Sequence, residues 1–274
     1  MNKTDELKLT SLVLAKAKEL GADLTGIASV DELKESPSHT LAPQIAPVDV
    51  GQDKNSSKPG VVTWPKEGKS VIVVGVSHPK EKPELDWWHG KYMPPGNKKL
   101  RQIIKALKEW IETNYTDVKA QHMPYQVEKG GIFLKDAAVL AGLGCIGQNN
   151  LLLTPEFGPR VRLGTLIIDK ELVCTGPISF DPCTGCEGYC LKKCPREAFA
   201  EAIYSKNEFN QDIFPAIDGS YNRYKCNEQM LYDQNTAAEK NKKVLYEEKG
   251  EMVRLVKYCR NCELLCPLGN EPVS

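Results

Sequence analysis

The sequence predicts an α+β (α/β) protein in which a larger mixed domain is followed by a smaller cysteine-rich domain. Apolar segments with helical and strand periodicity alternate as far as residue 174, which is typical of a sheet covered by helices. Beyond that point lie eight of the ten cysteines. A chain of 274 residues is long enough for two domains. We therefore predict one domain over residues 1–174 and a second over residues 175–274.

The first part of the chain predicts three regular elements and one loop. A stripe of apolar residues with helical spacing begins near Asp5 and is stopped by Gly21. Residues 23–28 are expected to form a strand, and the continuous apolar run at residues 70–76 (SVIVVGV) a buried strand. Residues 35–60 are rich in Pro, Ser and Gly, so we expect a long irregular loop there, of the kind that often covers a binding site.

The later elements continue the same alternation. Residues 98–115 return to helical spacing, and residues 132–141 predict a short apolar helix. Strands are expected at residues 151–153 and 162–169. In the second domain an insertion near residues 227–258 is rich in charge, and its pattern predicts that it is mostly helical.

The cysteines of the second domain have the spacing of metal ligands. The first run is Cys183-x2-Cys186-x3-Cys190-x3-Cys194-Pro195, and the second is Cys226 followed, after about thirty residues, by Cys259-x2-Cys262-x3-Cys266-Pro267. Two sets of four cysteines, each ending in Cys-Pro, resemble a bacterial ferredoxin module with two [4Fe–4S] clusters. In such modules the last cysteine of each run ligates the other cluster.

The ferredoxin resemblance implies two crossed ligand sets. One set would be Cys183, Cys186, Cys190 and Cys266, and the other would be Cys226, Cys259, Cys262 and Cys194. The sequence departs from the common bacterial pattern in two ways. The first run has three residues where the common run has two, and a long gap separates the first cysteine of the second run from the rest.

Zinc and disulfides are the alternatives for these cysteines. Cys183-x2-Cys186 together with Cys259-x2-Cys262 could close a tetrahedral zinc site, but the other four cysteines of the two runs would then be unexplained. Disulfides are disfavoured because the spacing is metal-like and no secretory signal precedes the cysteines.

Charge and hydropathy restrict the partners. The 36 basic and 36 acidic residues balance to a formal net charge of zero, which gives no overall attraction to nucleic acid or to an anionic membrane. Residues 1–10 are polar and lack the apolar core of a signal peptide, and no apolar stretch is long enough to cross a bilayer. We therefore expect a cytoplasmic protein with no membrane partner.

Two segments outside the cysteine runs resemble the epoxyqueuosine reductases. These are Ala17–Ala28 (AKELGADLTGIA) and Ala141–Asp169 (AGLGCIGQNNLLLTPEFGPRVRLGTLIID), and the cysteine runs follow at the distance found in that family. The resemblance covers most of the chain. It implies a nitroreductase-like, corrinoid-binding domain followed by a ferredoxin-like domain with two [4Fe–4S] clusters, related to reductive dehalogenases. It also implies that electrons pass from the clusters to the cobalt of a bound cobalamin and then to a substrate.

The glycine-rich segment is the candidate cofactor-binding loop. Glycines at positions 142, 144 and 147 would let the backbone approach a flat macrocycle and expose its amides. A turn between a helix and a strand would explain the same glycines without a ligand. The candidate cofactor-binding residues are Gly142, Gly144, Cys145, Gly147, Gln148 and Asn149.

The chain departs from the family pattern at several positions. Cys145 stands where the family has Trp, and Gln148 stands where it has Lys. Glu128 stands where the family has its proton-donating Asp, so we expect Glu128 to be the general acid, with Tyr125 as a second candidate donor. The alternative is that Glu128 is an ordinary surface residue. The helical-repeat tail that helps the family hold tRNA is not present in the sequence, which weakens the prediction of a tRNA partner.

The sequence thus leads to three functional hypotheses. The first is a cobalamin-dependent iron–sulfur reductase that acts on a small-molecule or modified-nucleoside substrate and takes electrons from a donor such as ferredoxin or flavodoxin. The second is a ferredoxin-type carrier that reduces a partner corrinoid protein. The third is a flavin-dependent reductase, because the nitroreductase-like fold also binds flavin.

Overall fold

The computed structural model describes residues 3–45, 62–89, 93–237, 244–246 and 252–269, and the side chains of His89, Glu128, 244–246 and 252–254 are not described. It is a mixed helix-and-sheet structure, as the sequence predicts. Within the described residues the α-helices are α1 Lys3–Glu19, α2 Val30–Lys34, α3 Pro37–Leu41, α4 Pro95–Asn114, α5 Leu134–Leu140, α6 Tyr189–Lys192, α7 Lys206–Phe209, α8 Arg223–Asn235 and α9 Asn261–Leu264. The strands are β1 Leu24–Ser29, β2 Ser70–Ser77, β3 Trp88–His89, β4 Ala120–His122, β5 Cys145–Ile146, β6 Leu152–Leu153, β7 Val161–Ile168, β8 Val244–Tyr246 and β9 Met252–Val256.

A four-stranded antiparallel sheet in the order β1-β2-β7-β4 forms the centre of the fold. Ile72 of β2 pairs with Ile27 of β1 on one side and with Leu166 of β7 on the other. All residues of β2 except the last are buried. A strand buried on both faces needs apolar side chains on both, which explains why residues 70–76 form a continuous apolar run rather than an alternating one.

Successive side chains of the central strands enter two separate hydrophobic clusters. Ile72 and Val74 pack with α1 and with the buried face of α4, of which Leu107 is fully buried. Val71 and Val73 point the other way and pack with the apolar face of α5. Helices therefore cover both faces of the sheet, and the predicted helices near residues 5–20, 98–115 and 132–141 are confirmed with small shifts at their ends.

The structure corrects two predictions of secondary structure. The stretch predicted as an irregular loop at residues 35–60 contains α3 and a 3-10 turn at Ala42–Gln44, and residues 46–61 lie outside the described residues. Among its described residues, the predicted helical insertion near 227–258 is helical only at its start, and β8 and β9 form an antiparallel pair in its later part. Val, Leu, Tyr and Met in these two strands favour extended backbone when a partner strand is available.

One small sheet joins segments on either side of residue 174. Strand β9 pairs with β8 and also with β3, in which Trp88 is opposite Val256. Strand β9 ends three residues before Cys259. Its pairing with β3 therefore holds the segment just before Cys259 against the first part of the chain. No helix in the described part of the chain combines the length and the apolarity needed to cross a membrane.

Candidate functional site

The first cysteine set comes together at one cavity. The thiols of Cys183, Cys186 and Cys190 lie within electrostatic range of one another and of Cys266. Short turns make this possible, since Cys186 N–H donates to the Cys183 carbonyl at 3.1 Å. Burial raises the pKa of the Cys190 thiol to about 11, helped by the neighbouring thiols. The four cysteines line a cavity of about 260 Å³, together with Gln148, Asn149, Leu153, Pro182, Tyr189, Pro267 and Leu268.

The second cysteine set forms a separate group. Burial raises the pKa of the Cys262 thiol, and Cys226, Cys259 and Cys194 raise it further because a thiolate there would face their sulfurs. Cys259 likewise interacts with Cys226 and Cys194. The chain therefore brings the last cysteine of each run to the other run's group, which is the crossed arrangement that the ferredoxin resemblance implies.

Two hydrogen bonds reach sulfur atoms of the second set. The backbone N–H of Ala198 donates to Cys194 Sγ over 3.3 Å. The hydroxyl of Tyr221 donates to the thiol of Cys226, and Arg223 Nη1 in turn donates to the Tyr221 hydroxyl over 3.0 Å. Hydrogen bonds to cysteine sulfur are one of the ways in which a protein sets the potential of an iron–sulfur centre.

The thiols within each set stand apart rather than in tight contact. Among the described residues, one group of three metal-ligating side chains has all its ligand atoms within 4.8 Å of one another, and it contains no cysteine. That group is His78, Asp86 and Glu263. A zinc ion bound by four thiolates at about 2.3 Å would hold its sulfurs about 3.8 Å apart. No three cysteine thiols in the described residues all lie within 4.8 Å of one another, a wider spacing than in such a zinc site.

The group around His78 is a charge network and not a cation site. Arg260 pairs with Asp86 at 3.1 Å and with Glu263, and Arg162 pairs with Asp86 as well. Burial lowers the pKa of His78 to about 3, and the charges of Arg162 and Arg260 lower it further. These guanidinium groups repel a metal ion. The network instead connects the ends of β2 and β7 to α9, the helix that contains the predicted ligand Cys262.

Residues 148–150, at the end of the glycine-rich segment, lie between the two cysteine sets. The backbone N–H of Gln148 donates to the thiol of Cys183 in the first set. Asn149 is 3% exposed, and its side-chain amide donates to the carbonyl of Cys262 in the second set over 3.0 Å. The predicted cofactor residues Gln148 and Asn149 thus contact the cysteine groups directly.

The three glycines of this segment are required by contacts within the chain. A Cβ atom at Gly142 would lie 2.8 Å from the carbonyl oxygen of Thr175, and one at Gly144 would collide with the carbonyl oxygen of Leu153. A Cβ atom at Gly147 would lie 2.8 Å from Cγ of Leu153. In each case the space beside the glycine is filled by protein atoms, so the close approach that explains these glycines is intramolecular. Their contact with a macrocycle stays a prediction.

Cys145 lies beside the first set without belonging to it. It begins β5 and is half-buried, and its thiol interacts with Cys183 and Asp181. Burial raises the pKa of Cys145 to about 11, and those two neighbours raise it further. At neutral pH the Cys145 thiol is therefore protonated.

Known proteins resemble the chain in both sequence and fold. No protein-family model matches it. It is 27% identical over 212 residues to an epoxyqueuosine reductase of Lactococcus garvieae, a match that covers 74% of this chain and 52% of that protein. It also matches a crystal structure of epoxyqueuosine reductase with an epoxyqueuosine-modified tRNA-Tyr stem loop, with a TM-score of 0.62 and 19% identity over 96% of this chain and 65% of that one. The chain is thus similar in sequence and in fold to epoxyqueuosine reductases.

A reductive dehalogenase has a fold similar to that of this chain. The match has a TM-score of 0.60 and 15% identity, and it covers 99% of this chain and 34% of that one. That dehalogenase structure suggests a mechanism for B12-dependent dehalogenation. Identity at this level establishes a common fold and no more. The chain spans about half the length of the curated reductase from Lactococcus garvieae.

The two predicted proton donors of this chain lie just before α5. Tyr125 is 59% exposed. The backbone of Glu128 belongs to a 3-10 turn at Val127–Lys129, and its side chain lies outside the part of the chain that the structure describes. The role of either residue as an acid stays a prediction.

Lys135 is a residue near the site that sequence reasoning missed. It belongs to α5, and its ammonium donates to the carbonyl of Asn150 and lies within range of Cys262 and Cys226. Burial lowers the pKa of Lys135 to about 8. Lys135 and Asp136 are adjacent charges in an otherwise apolar helix, and that pattern could have indicated buried partners.

Proposed function

We propose that the chain is a cobalamin-dependent iron–sulfur reductase similar to epoxyqueuosine reductase, which passes electrons from two [4Fe–4S] clusters to cobalt and then to a substrate. The observation that carries this proposal is the grouping of eight cysteines into two crossed sets of four. The names of the curated relatives, which are reductases, support the same reaction type.

The cysteine groups fit iron–sulfur clusters in number and in spacing. Each cubane needs four thiolate ligands, and each set supplies four. The thiols stand further apart than a single zinc ion would hold them, as expected for ligands placed around the corners of a cube. Burial raises the pKa of Cys190 and Cys262, so cluster binding must release protons from thiols that are otherwise neutral.

The proposed architecture is a nitroreductase-like corrinoid domain over residues 1–174 and a ferredoxin-like domain over residues 175–274. The fold shared with a reductive dehalogenase supports this division. The helix-covered sheet over residues 24–168 would form the first domain, and the cysteine loops the second. Strand β9 would then belong to the second domain while pairing with β3 of the first.

Cobalamin is the proposed second cofactor because the dehalogenase with this fold is described as B12-dependent. When bound, the clusters would supply single electrons and the corrinoid would supply low-valent cobalt for the reduction. The residues proposed to hold the corrinoid are Gly142, Gly144, Cys145, Gly147, Gln148 and Asn149. Of these, Gln148 and Asn149 have the best support, since they already lie between the two cysteine sets.

Glu128 is the proposed general acid, with Tyr125 as the second candidate. A carboxyl group and a phenol both hold a proton that can be transferred to a reduced substrate. The exposure of Tyr125 supports access for a substrate to this segment. A Glu128→Gln variant should keep its metal content and lose most of its turnover, whereas full turnover in that variant would remove Glu128 from the proposal.

The proposed substrate is a small molecule or a modified nucleoside. One structural neighbour was crystallised with an epoxyqueuosine-modified tRNA stem loop, which supports a nucleoside carried on tRNA. The balanced charge of the chain favours a smaller substrate instead. A ferredoxin or flavodoxin is the proposed electron donor, because both deliver single electrons.

The decisive experiment is an anaerobic cofactor analysis of the reconstituted protein. We expect about eight iron and eight sulfide per chain, together with uptake of cobalamin that changes its cobalt spectrum. Cys190→Ala and Cys262→Ala should each lower the iron content. Cys174→Ala, which changes an exposed cysteine outside both sets, is the matched control and should not. Zinc in place of iron would refute the proposal, and bound flavin without cobalamin would favour a flavin-dependent reductase.

A second candidate function is a carrier that reduces a separate corrinoid protein. The packing of Gly142, Gly144 and Gly147 against the chain itself favours this alternative, because contacts within the chain explain these glycines without a macrocycle. Full iron content with no uptake of cobalamin, and capture of a corrinoid protein, would support the carrier. Uptake of one cobalamin per chain would exclude it.

A further inference from the structure

The second cysteine set has a lysine from the helix-covered sheet at its edge. Lys135 projects from α5, and its ammonium donates to the backbone carbonyl of Asn150. Asn150 is held from its other end, because its side-chain oxygen accepts from the backbone N–H of Ala216 at 3.3 Å. These contacts fix the ammonium within electrostatic range of Cys262 and Cys226.

Among the charges that act on Lys135, that of the neighbouring Asp136 is the largest, and those of Arg223, Cys262 and Cys226 follow. The Asp136 carboxylate accepts three hydrogen bonds, from the Ser36 hydroxyl at 2.8 Å and from the backbone N–H and hydroxyl of Ser38 at 2.8 and 2.7 Å. It is 3% exposed and is occupied by these donors. The Lys135 ammonium interacts with Asp136 and also with the thiols of Cys262 and Cys226.

Other charges near the second set partly oppose one another. The Asp233 carboxylate accepts from the backbone N–H of Cys259 at 2.8 Å. Arg223 is a second cation near this set and interacts with Lys135. It donates to the hydroxyl of Tyr221, which in turn contacts Cys226. At the first set, the cations within range of Cys266 are Arg160 and Lys80.

A buried cation changes the redox balance of an iron–sulfur centre in a definite direction. A [4Fe–4S] cluster with four thiolate ligands carries net negative charge, and reduction adds one more negative charge. Net charge and hydrogen bonds to sulfur are established determinants of the potential of such clusters. In a partly desolvated site a nearby ammonium stabilises the added electron more than water would.

We propose that Lys135 raises the reduction potential of the cluster held by Cys226, Cys259, Cys262 and Cys194, so that an electron shared between the two clusters resides preferentially there. This inference rests on the proposed binding of two clusters. Lys135 would act on the cluster through its charge, and it belongs to α5 in the first part of the chain. A residue from the helix-covered sheet region would thereby determine which of the two clusters holds the electron.

The test is an anaerobic redox titration with dithionite, followed by electron paramagnetic resonance at pH 7. The Lys135→Gln variant keeps a donor for the Asn150 carbonyl and removes the charge. We expect the equilibrium constant for reduction of one cluster to fall at least tenfold, which is a shift of 59 mV to more negative potential. The other cluster should change less than threefold, and Lys135→Arg should restore the wild-type value.

One control variant assigns the signals to the clusters, and a second tests whether loss of any lysine charge shifts the potentials. Tyr221→Phe removes the hydroxyl that donates to Cys226, so the signal that it alters belongs to the second set. Lys105→Met removes an exposed cation from α4, and both potentials should stay unchanged. A potential in Lys135→Gln that does not move, or an equal shift of both clusters, overturns the inference. Protein that binds no iron refutes the proposed function instead, and the iron assay separates that outcome from the others.

Discussion

The central sheet and the cysteine loops are stabilised by different kinds of contact. Strands β2 and β7 lie between two apolar clusters, and their long ladder needs no other support. The cysteine loops contain helices of four residues, such as α6 and α9, and their thiols face one another. Short helices without a broad apolar face are marginal in water. The first region should keep its structure without metal, and the second should depend on its metal centres.

Removal of metal should produce the largest difference in stability between the two regions. When the iron is stripped with a chelator and an oxidant, we expect residues 183–194 and 259–266 to lose their hydrogen-exchange protection, because metal binding supplies much of the folding free energy of such sites. Strands β2 and β7 should stay protected. Hydrogen exchange followed by mass spectrometry makes the measurement. Equal loss of protection in both regions would show that they unfold as one unit.

Disruption of the charge network should have the next largest effect. In Arg260→Met, Asp86 and Glu263 lose a partner inside a largely buried network, which typically costs about 3–5 kcal/mol. The melting temperature should fall, and protection should be lost first near α9. Lys105→Met, which breaks an exposed ion pair with Glu109, is the matched control and should change stability by less than about 1 kcal/mol. An unchanged melting temperature in Arg260→Met would show that the network does not stabilise the fold.

A cavity in the sheet region should affect that region alone. Leu107 is fully buried under the sheet, so Leu107→Ala should lower the free energy of unfolding by about 2–5 kcal/mol. The iron content and the absorption of the clusters should be retained at temperatures below the transition. The exposed Leu7→Ala serves as the control, with a change of about 0.5 kcal/mol or less. Loss of iron in Leu107→Ala at low temperature would contradict the independence of the two regions.

Acid should weaken the contact between α3 and α5 by a smaller amount. His39 Nδ1 lies 2.9 Å from the Ser36 hydroxyl, which donates to Asp136, and His39 Nε2 accepts from the Phe133 N–H at 3.3 Å. The neutral Nδ1–H tautomer fits these partners. Burial lowers the pKa of His39 to about 4, while Asp136 opposes that shift.

The sign of the pH effect follows from this depression. The unfolded chain binds a proton near pH 6.5 and the folded chain only near pH 4, so the stabilising contribution is complete above pH 6.5 and is lost as the pH falls toward 4. Allowing for partial exposure, the loss is about 1–2 kcal/mol. The melting temperature of His39→Gln should therefore fall less between pH 7 and pH 5 than that of the wild type. Parallel curves for the two proteins would exclude His39 as the cause.

The sheet could be predicted from the sequence because its signals are local. Continuous apolar residues at 70–76 and helical spacing at 98–115 each determine their own burial. The cysteine groups were likewise indicated by spacing, because loops that hold a cubane need ligands close together in the chain. The Pro-, Ser- and Gly-rich composition of residues 35–60 predicts a loop where the structure has the helix Pro37–Leu41. The opposing signal is Ser36 followed by Pro37, a pair typical of a helix start.

Long-range features could not be predicted in this way. Strand β9 is extended because it pairs with β3, more than 160 residues earlier in the chain. The contacts of Lys135 with Asn150 and of Arg260 with Asp86 join side chains that only the folded chain brings together. The sequence does not say what approaches the glycines of residues 142–147. Their neighbours in the structure are protein atoms, and their contact with a macrocycle stays a prediction.

The exchange of Cys194 and Cys266 between the two groups has a consequence for assembly. Cys266 stands 83 positions after Cys183, so the earlier group cannot be completed until the ribosome has made the later run. Each inorganic centre would then tie together remote stretches of polypeptide. Loading would be a late event in biogenesis, and a chain interrupted before position 262 would leave both centres short of a ligand.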